Sequence, residues 1–151
     1  MGYFDGVDTQ LHAHRPELAQ RIDAASRDAQ RRMAESAVQL AAKASPYIDL
    51  HAVFAALADG LYGDSPTRRR VLGYIREIEQ RRMDMISGKA GRNVQTYEAA
   101  FRTLACCYKA LDADPQLAAL GAVHEAMHVT DFAVLRDVVF ANHAGLTQAA
   151  I

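Results

Sequence analysis

The sequence predicts an all-α, single-domain helical bundle of about five helices, closed by a central C-terminal helix that is apolar on almost every side. Three observations carry that expectation. Hydrophobic residues recur at steps of three and four along most of the chain, and no stretch shows the two-residue alternation of a strand. A capping Ser or Asp directly before proline recurs at Ser45-Pro46, Ser65-Pro66 and Asp114-Pro115, where the missing proline amide costs a first helical turn nothing. Half of the 151 residues are hydrophobic and 23% are charged. A chain of this size buries roughly two thirds of its unfolded surface, so no disulfide or metal is required merely to fold.

Residues 1–15 carry Gly2, Gly6 and Tyr3-Phe4 without periodicity and read as an N-terminal arm, with residues 16–151 as the bundle. Pro16 and Glu17 open a first helix, and Leu18, Ile22, Ala25, Ala29, Met33 and Leu40 carry its stripe to about Ala44. Ser45-Pro46 starts a second, with Leu50, Val53, Phe54 and Leu57 inward and Gly60 as its stop. Asp64-Ser65-Pro66 starts a third, with Val71, Ile75, Ile78, Met85 and Ile86 inward, and Gly88 to Asn93 reads as a mobile connection. The fourth has the clearest seam: Val94, Tyr97, Phe101, Leu104, Tyr108 and Leu111. The fifth runs from Pro115 to about Ala141 and is apolar around most of its circumference, which is the mark of a helix packed on several sides.

The net charge of −1 gives no general attraction to nucleic acid or membranes. Charge is nevertheless uneven: eight Lys or Arg stand against three Asp or Glu between Thr67 and Arg92, while Asp112 to Asp137 is acidic. That basic stretch lacks an aromatic stacking set and reads as a solvated face rather than a phosphate grip. Neighbouring Cys106 and Cys107 point about 100° apart on a helix, so they are expected as small buried thiols rather than a disulfide. With no charged-then-apolar leader and no apolar run long enough to span a bilayer, a cytoplasmic protein is expected.

The chemistry concentrates in the last helix. His124, His128 and Asp131 stand at i, i+4 and i+7, within about 60° of one another on a helical wheel. Two imidazoles and a carboxylate on an otherwise apolar line suit zinc or another first-row divalent ion. His51, beside Val53 and Phe54, is the expected further ligand, and Glu125 is the candidate catalytic base for a metal-bound water. His12 and His14, two apart in the arm, face different sides if helical and with an ion could cap a site.

Three resemblances attach to these residues. His124-Glu125-Ala126-Met127-His128 matches the H-E-x-x-H pattern and resembles the zincins, which implies two histidines on zinc and a glutamate activating water. The match covers five residues; no later histidine follows at the metzincin spacing, and no Glu remains downstream as a third ligand. The order and separation of His51, His124 and His128 are similar to those of the DinB-like metal proteins, which implies a divalent metal within a bundle. Arg136 and His143 have the Arg-x6-His spacing that resembles the HEPN ribonucleases, although only eight residues follow His143.

Two functional readings follow. One is a bundle with a His/carboxylate site for a divalent metal, used for binding or simple water activation. The other is a non-catalytic interaction module (adaptor, immunity or regulatory protein) whose apolar last helix and charge asymmetry serve a homo-oligomer or a protein partner.

Overall fold

The computed structural model describes residues 7–88 and 94–144. Among these the protein is all-α, with eight helices where the sequence predicts about five, and no strand. They are α1 (Val7–His14), α2 (Pro16–Asp23), α3 (Arg27–Ala42), α4 (His51–Asp59), α5 (Pro66–Gly88), α6 (Val94–Ala110), α7 (Pro115–Ala126) and α8 (Phe132–Ala144).

The additional helices come from breaks that keep the apolar register. Part of the expected arm is α1, which buries Leu11. Arg15 precedes a proline, which disfavours helical geometry, and it takes φ −142°, ψ 71° between α1 and α2. The expected first helix is divided at Ala24–Ser26, where Ser26 turns extended and its hydroxyl accepts from the Ala29 amide at 3.1 Å. Ser45-Pro46 opens a turn rather than a helix. The helix begins at His51, whose amide donates to the Asp49 carboxylate at 3.0 Å. Gly60 ends α4 in the left-handed region at φ 70°, as its sequence position predicts. Ser65 and Asp114 both accept amide hydrogen bonds at the starts of α5 and α7, Ser65 from Arg68 and Asp114 from Gln116 and Leu117. The expected connection from Gly88 to Asn93 lies, beyond Gly88, outside the described residues.

The last expected helix is also two. After Ala126 the chain tightens into turns, with the His128 amide bonding the Glu125 carbonyl and that of Val129 bonding Ala126. Asp131 then starts α8 by accepting from the Ala133 and Val134 amides at 2.9 and 3.3 Å. The central element is α7. Every residue from Ala118 to Ala126 is buried, against α3, α6 and α1. Small residues on both sides, including Ala34, Ala37 and Ala41 of α3 and Ala118, Ala119 and Ala122 of α7, let those backbones approach closely. By contrast α8 is amphipathic: Leu135, Val139 and Asn142 face inward, while Val134, Arg136 and Asp137 are exposed.

The basic character of α5 is largely answered within the chain. Arg68 lies 3.5 Å from Asp112, Arg69 lies 3.2 Å from Asp64, Arg81 lies 2.8 Å from Glu77, and Arg82 pairs with Glu98. No helix among the described residues is long and apolar enough to cross a membrane.

Candidate functional site

Helices α6 and α7 are antiparallel neighbours joined through Leu111–Asp114, so residues early in one meet residues late in the other. The register is fixed by the Cys106 thiol, which donates to the Ala122 carbonyl at 3.3 Å. One turn along, the stem of Lys109 lies across Gly121. A Cβ there would meet Lys109 Cδ at 2.8 Å and Cβ at 2.9 Å, so glycine opens the path along which the lysine runs. Its ammonium ends on Glu125 Oε2, and Arg102, two turns earlier on α6, donates to Oε1 at 2.9 Å.

This places an ionised triad inside an all-α core. Glu125 has no exposed surface and Lys109 is 4% exposed, while the Arg102 side chain reaches partway to solvent. Burial alone would raise the Glu125 carboxyl. Its contacts with His124, Lys109 and Arg102 outweigh that effect and lower it to about 2, so the carboxylate is charged at any physiological pH. Burial lowers Lys109, and the neighbouring carboxylate opposes that shift. The two thiols behind the triad are buried and unbonded to each other. Burial pushes Cys107 up to about 12 and Cys106 well above its ordinary value, which leaves both unreactive.

His124 follows the triad toward the surface. It is 4% exposed, and its Nδ1 stands 3.4 Å from Glu125 Oε2 without a directed hydrogen bond among the described residues. Two exposed imidazoles flank it: His14 of α1 stacks on it with centroids 6.2 Å apart, and His128 meets it edge-on at 5.2 Å. His128 is held below its ordinary value by desolvation of its ring, then by the positive charge of Arg102. It also lines a shallow cavity of about 300 Å³ with Glu98, Ala99, Arg102 and Val129.

Of the residues singled out from sequence, the structure brings together His14, His124, His128 and Glu125. Asp131 is occupied as the cap of α8, and His51 is exposed at the start of α4, a helix packed on α5. The i, i+4, i+7 face therefore ends at Ala126, where α7 ends. His12 pairs instead with Asp23 at 2.6 Å. Arg136 sits 3.7 Å from Asp137, and His143 Nδ1 lies 2.9 Å from the Arg21 carbonyl, so these two residues are engaged separately. Among the described residues, no group of three or more His, Cys, Asp or Glu side chains stands close enough to hold a metal ion as placed. Compared with known proteins, the chain matches no family model, no curated protein and no solved structure.

Sequence reasoning passed over Arg102 and Lys109. Their signal was available: both lie on α6 seven residues apart, on one face, and Lys109 interrupts the otherwise apolar run from Leu104 to Leu111.

Proposed function

We propose that this protein binds a first-row divalent cation at its imidazole cluster, with His124 and His128 as ligands and His14 turning in as a third. The observation that carries the reading is the setting of His124. Its Nδ1 faces a buried, ionised carboxylate, the His14 ring stacks on its face, and the His128 ring meets it edge-on. Glu125 stands on the Nδ1 side of the ring at 3.4 Å, which leaves Nε2 as the nitrogen to offer a metal. With metal–nitrogen bonds of about 2.0–2.1 Å, two imidazoles on one tetrahedral ion have ring centroids about 5 Å apart, close to the observed separation of His124 and His128. His14 is exposed, and its ring, stacked 6.2 Å from that of His124, would have to reorient to join as a third ligand. The lowered value of His128 keeps it neutral, and so able to bind, to lower pH than an ordinary histidine.

The role is binding rather than hydrolysis. Glu125 holds no position from which to act on a substrate: it is enclosed, bonded to Lys109 and Arg102, and too weak a base at about 2 to take a proton from water. It is a positioning residue for His124. The test is metal content and melting of protein purified without a polyhistidine tag, with zinc, nickel or manganese added. Stoichiometric metal and a raised melting temperature are expected, both lost in His128→Ala. A native protein that neither retains metal nor shifts its melting would overturn the reading.

A further inference from the structure

On the other side of His14 lies a cavity of about 370 Å³ between the α1–α2 junction and α8, lined by Arg15, Glu17, Leu18, Phe132, Arg136 and Phe140 as well as His14. We infer that this pocket binds a small monocarboxylate with an apolar or aromatic body. The cavity shares His14 with the proposed metal site, but its argument rests on Arg15, Arg136 and the apolar lining and not on metal binding.

Two guanidinium groups define the polar part. Arg15 owes its position to Pro16, which forces the chain out of helical geometry just before α2. Its guanidinium lies 4.1 Å from the centroid of the Phe132 ring. Stacking fixes the plane and leaves the N–H edges available, and no carboxylate pairs with Arg15 among the described residues. Arg136 stands one turn after Phe132 on α8, 5.6 Å from the Phe140 centroid, and among the described residues its ion pair is the exposed 3.7 Å contact to Asp137. Such a contact contributes little and is readily exchanged. The N-terminus of α2 carries no side-chain cap, so amides of its first turn add positive potential on the same side.

The other lining residues select the ligand. Phe132 and Phe140 supply the apolar surface for a hydrocarbon body, each with a guanidinium over its ring (Arg15 and Arg21), and Leu18, 2% exposed, backs the cavity. Glu17 places a carboxylate in the lining, which disfavours a phosphate dianion more than a single negative charge, while Arg21, 4.2 Å from the Phe140 centroid, keeps the surroundings positive. The volume is at the small end of ligand pockets, suited to a single ring or short chain. A planar carboxylate also matches the fork of a guanidinium that is already held flat.

The experiment titrates benzoate, benzamide and phenyl phosphate into metal-free full-length protein in the presence of chelator, with backbone amide NMR as the readout. Benzoate is expected to move amides of Glu17, Leu18 and Phe132–Phe140, with weaker binding of phenyl phosphate and none of benzamide. Arg15→Gln and Arg136→Gln change exposed side chains, and their spectra report whether the fold is kept. Each is expected to weaken benzoate about tenfold or more, the loss of a charge-assisted contact. Absence of benzoate binding, equal binding of benzamide, tighter binding of phenyl phosphate, or affinity unchanged in both variants would overturn the inference.

Discussion

Replacing Glu125 by Gln keeps the side-chain shape and removes the charge that Lys109 and Arg102 share. The cost follows from where those cations sit. Arg102 reaches solvent and can rehydrate, whereas the Lys109 side chain is 5% exposed along the close approach to Gly121 and cannot. Removing one partner of such a pair costs about 3–5 kcal/mol, because an uncompensated charge remains buried. A ceiling comes from letting the lysine discharge. From an ordinary value of 10.5, and at about 1.36 kcal/mol per pKa unit, that costs about 5 kcal/mol at pH 7. At about pH 10 the same ceiling falls below about 1 kcal/mol, so the defect shrinks as pH rises. Urea denaturation at several pH values measures both features. The double variant Lys109→Met/Glu125→Leu, which replaces the pair by apolar groups of similar volume, is expected near wild-type stability or above it. A Glu125→Gln loss under about 1 kcal/mol at pH 7, or one that stays constant with pH, would refute the claim that the triad is a buried, mutually compensating charge cluster.

Acid gives a complementary result. The folded value of Glu125, about 2, lies below its ordinary 4.5, so its contribution is complete above pH 4.5 and is lost as pH falls through 2. Wild-type stability should therefore drop by about 3 kcal/mol more than that of Glu125→Gln across this window, read from urea midpoints. Gly121→Ala sets a methyl against Lys109 Cβ and Cδ and should cost about 1–3 kcal/mol, with a melting scan as the check. Ser26→Ala removes the cap of α3 and should cost about 1 kcal/mol, whereas Ser26→Asp retains it.

The all-α class and several helix starts were legible because their causes are local. Pro16, Ser65-Pro66, Asp114-Pro115 and Gly60 act through their own backbone geometry, and the structure places a helix end at each. The breaks at Ser26 and Asp131 were hidden because the apolar spacing continues across them: Ile22, Ala29 and Met33 stay inward on both sides of the first. Asp131 shows the ambiguity directly. The same carboxylate fits a ligand at i+7 on an unbroken helix or a cap on a new one, and the amides of Ala133 and Val134 take it. His124, His128 and Glu125 were legible as a group because they are close in sequence. Arg102, Lys109 and His14 reach them only through helix packing. Burial of Glu125 against two cations then changes its chemistry from that of a base to that of a fixed charge.

The most direct test of the central claim is a cobalt(II) titration of the tag-free native chain, followed in the visible spectrum and repeated with His128→Ala. His128 is exposed, so its loss should leave the fold intact. Cobalt bound by two or three imidazoles is expected to saturate at one equivalent with bands of low coordination number, and these bands should disappear in the variant. A featureless titration of the native protein, or the same spectrum and stoichiometry in His128→Ala, would contradict the account.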